Sequence, residues 1–395
     1  MKSKRLICII ILVFILLACK NSSYDIKEID LVGAFDNKNK INLSTIAESV
    51  EYIPLQSNRS HYIEKIPRVY ADSKYIIIIA FKQQIVFDRS SGEFICKVGH
   101  YGRDPGAFRR TRFNIAFNED RKTIYADSWE GNIIEYSLNN KIVNVFERPQ
   151  NVRSIPSFAW VNDSIYYAYV ENRTGDEKVR LVRFNSNNDS IWFIANNNFY
   201  KNDPNFARSW GAGMGWFYRY NKQLFLKELF VDTVYSVKTN GLFPRYIMNC
   251  GNYAPPSFKR EFIKSDDFKS YFWIQRMFES TNFVFFKLSY QESTRYGVYN
   301  KIEDSTHITH YSEITSLDSN VAIHGFVNDL DGFHQFCPES INSRGEMIAL
   351  LQAYEIVNWF NENPDKATKL PSHLQKLKSI RETDNPVVMI VKLKG

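Results

Sequence analysis

The sequence predicts an all-β protein, a six-bladed β-propeller closed by an N-terminal strand and carrying a small helical insertion in its last blade. Three observations carry that prediction. Short apolar segments bounded by turn residues recur in sets of four, at a period of roughly 45–60 residues. Phe and Tyr are abundant, 30 and 23 of 395 residues, a composition suited to pleated, half-buried surfaces. The last set is one strand short while an unassigned strand stands near the N-terminus, and pairing the two removes both open edges.

The chain begins with Lys2, Lys4 and Arg5 ahead of the apolar run "LICIIILVFILLA". A basic start and an apolar run shorter than the ~20 residues of a membrane span read as an export signal over residues 1–18. "LLAC", residues 16–19, resembles the lipobox of bacterial lipoproteins. That resemblance implies cleavage before Cys19, acylation of its thiol and attachment to the membrane through lipid. The polar stretch "KNSSYDIKEID" then reads as a tether, which places lipidated cysteine and tether at 19–45 and the propeller at 46–395. The expected location is the outer membrane, facing the periplasm or the cell surface.

The first blade is read from "KYIIIIAF", "QQIVFD" and "EFICKVG"; the second from "RFNIAFNED", "KTIYADS", "GNIIEYS" and "KIVNVFERP". The third runs from "SFAWVND" to "SIWFIA", the fourth from "WFYRYNK" to "LFPRYIMNCG", and the fifth from "YFWIQRMFES" to "THITHYSE". The sixth starts at "FHQFCPESINSRG", continues in "EMIALLQAY" and resumes at "PVVMIVKLK". Between its last strands, residues 354–383 carry apolar residues at helical spacing, Leu374, Leu377 and Ile380, punctuated by Pro364, Pro371 and Pro386. "ESVEYIPL", residues 48–55, is the strand expected to close the ring. The inner strands are expected to start near Pro67, Phe113, Phe158, Phe217, Phe272 and Phe336.

"KVGHYGRDPGAF", residues 97–108, invites a phosphate-loop reading and fails it. No Lys-Ser/Thr pair follows its last glycine, and the chain continues towards a strand rather than a helix. Glycines that supply positive φ in a blade-connecting turn explain the stretch better.

The formal charge of +7 includes Lys2, Lys4 and Arg5, so the chain after the signal carries +4, too balanced to argue for a nucleic-acid partner. Beyond Cys8 and Cys19, Cys96, Cys250 and Cys337 remain, with no C-x-x-C pair; one disulfide is open to them but not demanded. No cofactor or metal motif is spelled out.

Several stretches together resemble a family, the six-bladed β-propeller lipoproteins of unknown function of gut-dwelling Gram-negative anaerobes. These are "VEYIPLQS", "IVFDRSSGEFICKVGHYGRDPGAF", "FVDTVYSVKTNGLFPRYIMNCG", "NDLDGFHQFCPESINSRGEMIALLQAYE" and "NPVVMIVKLK". The resemblance implies the fold and an envelope location, and no activity. Phe333 departs from it, since a second glycine is expected after Gly332.

Candidate binding residues sit in loops. Arg109, Arg110 and Arg112 could grip a carboxylate or sulfate, or simply solvate a strand edge. Trp210 and Trp216, set among Gly211, Gly213 and Gly215, could stack on a sugar ring or wedge between blades. Asp331 and His334 in "NDLDGFHQF" could serve a ligand, although the spacing is not an EF-hand, or hold a turn. His307 and His310 are three apart on an expected strand and so face opposite ways. The function that follows is a lipid-anchored binding module for a glycan, a peptide or an envelope protein. The alternatives are a glycan-active lyase or hydrolase with a site at the propeller mouth, and a structural subunit of an envelope complex. Enzymatic activity is the less expected reading, because no catalytic signature is spelled out.

Overall fold

The computed structural model describes residues 26–37, 40–63, 68–109, 115–149, 157–162, 164–172, 174–187, 189–200, 214–256, 267–310, 314–315 and 321–395. Its strands form six sheets, each built on an antiparallel run that in five of them follows chain order for four strands from the first strand outwards. The first strands are Arg68–Ala71, Ile115–Asn118, Ser157–Trp160, Gly215–Tyr220, Trp273–Glu279 and Ser340–Ile341. Five start within two residues of the expected positions. The sixth starts four residues after Phe336, because Phe336 is engaged elsewhere: it exchanges two backbone hydrogen bonds of 2.9 Å with Phe326.

Why the strands carry unbroken apolar runs follows from the way the sheets stack. In "YIIIIA" of blade 1, Ile76 and Ile78 pack with Ile348, Val388 and Ile390 of blade 6. Ile77 and Ile79 point the other way and pack with Ile124, Ala126 and Ile134 of blade 2. Strand side chains alternate between faces, and here both faces are covered, so alternation of apolar with polar residues disappears. The same arrangement repeats around the ring, giving six apolar clusters, one at each seam between neighbouring blades.

Charge is also buried at the seams. Among the described residues, five of the six seams hold an acid answered by a base from the adjoining blade: Glu346 with Arg89, Asp72 with Lys122, Glu228 with Arg180, Glu279 with Arg245, and Glu339 with Arg276. Aromatic packing dominates the seam between blades 2 and 3, where Phe146 stacks on Tyr166 at 4.9 Å and Phe158 on Tyr166 at 5.3 Å.

The ring closes as expected. Strand Ala47–Pro54 pairs antiparallel with the last strand, Val387–Leu393, and so supplies the outer strand of blade 6. Part of the stretch expected as a tether over 19–45 is folded onto the ring. Strand Lys27–Asp30 runs parallel to the outer strand of blade 4, Gly241–Asn249, and a helix, Leu31–Asp36, follows with Asp30 as its N-cap. Ile29 and Leu31 are fully buried, and Phe35 packs against Tyr253, Phe272 and Tyr290 beside blade 5. A few apolar residues in a polar stretch were enough to dock it. Blade 5 also gains two strands beyond the four read from sequence, Ile314–Thr315 and Ala322–His324, the latter parallel to Ser293–Asn300.

The helical insertion lies between the second and third strands of blade 6. It comprises helix Ala353–Glu362, two short helices and a 3-10 turn ending at Ser379. Gln352 and Glu355 form a reciprocal capping box at its start. Leu374 and Leu377 are buried against the core, with Ile380 packed beside them.

The glycine loop is a turn between blades 1 and 2. Gly99 and Gly106 have φ of +60° and +80°, where a side chain is strained. A Cβ at Gly99 would stand 2.9 Å from the Tyr136 ring, whose hydroxyl donates to the Gly106 carbonyl at 2.6 Å. Cys96, Cys250 and Cys337 are all free thiols.

Candidate functional site

The first strands of all six blades face a central channel, which encloses a cavity of about 1490 Å³. The turns after the first strands of blades 2, 4, 5 and 6 also line it. The turn of blade 6 donates from the Ser343 backbone N–H (2.9 Å) and Oγ (2.6 Å) to Glu119 of blade 2, which draws those two turns together. Side chains of a first strand alternate towards the two adjoining seams, so the wall consists mainly of the edges of seam residues.

The chemistry of the wall is concentrated where blades 5, 6 and 1 meet. Glu339, just before the first strand of blade 6, accepts from Arg276 Nη1 of blade 5 and from Lys287 Nζ at 3.0 Å. The same Arg276 nitrogen reaches the Glu339 carbonyl at 2.9 Å. Arg68, the first residue of the blade 1 inner strand, feels the charges of both Arg276 and Glu339. Two cations therefore share one carboxylate, with a third close enough to feel its charge. Arg276, Lys287 and Arg68 together hold the Glu339 carboxyl down to about 2, against the pull of burial. Burial and the neighbouring Arg276 push Arg68 below its ordinary value, whereas Glu339 outweighs burial at Arg276 and raises it.

A further base lines the wall in blade 4. Arg219 donates through Nη1 to the Trp160 carbonyl at 2.5 Å, lies 5.1 Å from the Trp160 ring centre and stands 4.0 Å from the exposed Asp120. Deeper in the seam between blades 4 and 5, Glu279 accepts from Arg245 (2.5 Å), Lys301 (2.7 Å) and the hydroxyls of Tyr246 and Tyr218. That carboxylate is fully engaged with its own partners.

The residues singled out from sequence scatter. Cys19, Arg110, Arg112 and Trp210 lie outside the described residues. Arg109 is tied at 2.6 Å to Asp127, a buried acid of its own blade, which makes it a strap on the blade-connecting loop. Trp216 does reach the cavity wall, on the first strand of blade 4, but it is wedged beside the cluster between blades 4 and 5. Lys227 Nζ lies 5.8 Å from its ring centre. Asp331 accepts from Tyr52 (2.9 Å), Asn328 (2.7 Å) and the Phe333 backbone (2.9 Å), and so holds the closing strand to the loop that enters blade 6. His334 is buried beside Phe333, with Nδ1 3.1 Å from the Gln335 carbonyl. Neither Asp331 nor His334 lines the cavity. Phe333, where a glycine was expected, fills the space between Tyr52 and Trp359 at 5.7 and 4.7 Å. His307 is exposed, while His310 meets Arg295 at 3.0 Å.

Arg68, Arg219, Arg276, Lys287 and Glu339 were not singled out from sequence. A signal for three of them is present, since "PRVYA", "WFYRYNK" and "WIQRMFES" each place one arginine inside an otherwise apolar or aromatic first strand.

Comparison with known proteins agrees with the architecture. One similar solved structure is a candidate exported protein of Bacteroides fragilis NCTC 9343, with 16% identity and a TM-score of 0.66; the match covers 94% of this chain and all of that one. Another is a DUF4221 family member from Bacteroides vulgatus ATCC 8482, with 11% identity and a TM-score of 0.52, covering 91% of this chain and 99% of that one. At such identities the likeness speaks for the fold alone. No curated protein matches. The model of a domain of unknown function, DUF4934, matches residues 26–392, and the chain belongs to that family.

Proposed function

We propose that the protein is a lipid-anchored binding module of the cell envelope, and that its axial cavity receives an extracellular ligand. The observation that carries the reading is the cavity itself, about 1490 Å³ and walled by the first strands of all six blades. Ligand pockets commonly enclose roughly 300–1,000 Å³, so this one has room for a ligand of several sugar or peptide units. Its wall combines charged groups with half-buried Tyr70, Phe158, Phe217 and Tyr220, the pairing of apolar area and polar tips that ligand sites use. The basic start, apolar run and "LLAC" at 16–19 support export and acylation at Cys19. The similarity to a candidate exported protein is consistent with export.

Two measurements test this. Cys19→Ser should move the protein from the membrane fraction to the soluble envelope fraction and abolish labelling by a palmitate analogue; unchanged labelling refutes the anchor. A glycan and metabolite thermal-shift screen should find a ligand whose shift is lost in Ser157→Trp, which narrows the cavity at the wall. A shift indifferent to that substitution would place recognition elsewhere on the molecule.

A further inference from the structure

We infer that the axial cavity takes an acidic sugar, seating an anionic group of the ring, carboxylate or sulfate, between Arg68 and Arg276. This rests on the reading of the cavity as the ligand site and names the ligand class. The first ground is charge. Among the described residues, Arg276 and Lys287 pair with Glu339 and Arg68 stands near it, so this cluster holds three bases to one acid. Of the other acids on the wall, Asp120 stands towards Arg219 and Glu279 is paired with Arg245 and Lys301, while Glu119 is held across the channel by the turn of Ser343 in blade 6.

The second ground is desolvation. The side chains of Arg276, Lys287 and Glu339 are only 28%, 21% and 21% exposed. Surplus charge in so confined a place is costly unless a counter-charge arrives. The depressed basicity of Arg68 reports the same cost, and an anion would relieve it. The third ground is shape. A guanidinium presents a planar fork that matches carboxylate and sulfate, and two arginines from different blades can hold one such group from both sides. Tyr70 stands beside Arg68 on the same strand, and the edges of Phe158, Phe217 and Tyr220 reach the wall, giving apolar contact for the C–H groups of a sugar ring.

The test is calorimetric titration of the full chain in detergent at low salt with D-glucuronate, glucose 6-sulfate and glucose. At least one acid should bind tenfold or more tighter than glucose, weakening as salt rises, and the better of the two identifies the anion. Arg68→Gln should lower that affinity at least tenfold with the melting temperature retained. Arg68→Lys, which keeps the charge but loses the fork, should fall between. Glu339→Gln should act with the opposite sign and tighten acid binding several-fold; if it fails to fold, the Arg68 pair still decides. The assignment is overturned if neither acid binds better than glucose, or if Arg68→Gln binds as wild type. Binding that ignores Arg68 but is blocked by Ser157→Trp leaves the cavity as the site and removes only the anion. Binding that survives Ser157→Trp removes both.

Discussion

Glu355 shows how one buried group makes stability depend on pH. Burial raises its carboxyl from the ordinary 4.5 to about 7, although the Gln352 backbone N–H it accepts at 2.8 Å pulls the other way. An acid that holds its proton more tightly when folded contributes stability that is complete below about pH 4.5 and withdrawn as pH rises towards 7. Urea unfolding should therefore show the wild type losing up to about 3 kcal/mol between pH 5 and pH 8 through this group. Glu355→Gln, always neutral and still able to accept at the cap, should flatten that dependence. Glu339 works in reverse: with its carboxyl held down to about 2, its contribution is present above about pH 4.5 and lost as pH falls through 2. At the closure, Tyr52→Phe removes the hydroxyl bonded to both Asp331 and Asn328 and should cost about 1–2 kcal/mol in the same experiment.

At the scale of elements, the seams set the stability of neighbouring blades. Glu279→Gln leaves the half-buried Arg245 and Lys301 without their shared carboxylate, and should destabilise the protein by about 1–3 kcal/mol, read as a lowered unfolding midpoint. The strands themselves were legible in the sequence because each is a short apolar run cut by turn residues, and five of six inner strands fall within two residues of expectation. The sixth was misplaced because Phe336 bonds to Phe326, a pairing that leaves no periodic trace. The docked strand Lys27–Asp30 was hidden for another reason: two buried apolar residues, Ile29 and Leu31, are too few to mark an element inside a polar stretch. The candidate site was less legible still. Its charges come from blades 1, 5 and 6, and no local pattern shows that Arg68, Arg276 and Glu339 converge. Loops with suggestive composition drew attention instead, and Arg109 and Asp331 turned out to brace the ring.

For the molecule as a whole, closure depends on a strand drawn from the far end of the sequence. A chain beginning at residue 26 should unfold cooperatively and run as a monomer. A chain beginning at residue 56 lacks Ala47–Pro54, exposes the edge of Val387–Leu393 and should aggregate, as light scattering would report. The N-terminal segment does more than close the ring. It touches blade 4 through Lys27–Asp30, passes blade 5 with Leu31–Asp36, and only then enters blade 6. Any pull on the N-terminus, such as a membrane anchor would transmit, meets these contacts in that order. The four-residue pairing on blade 4 is the first of these to bear the load. Beyond that pairing, Phe35 packs beside blade 5 and Ile41 and Leu43 exchange backbone hydrogen bonds with Val327, so load must break further contacts before it reaches the strand that seals the propeller. Were the chain anchored through its N-terminus, these contacts would act in series as a mechanical fuse, yielding before the ring opens.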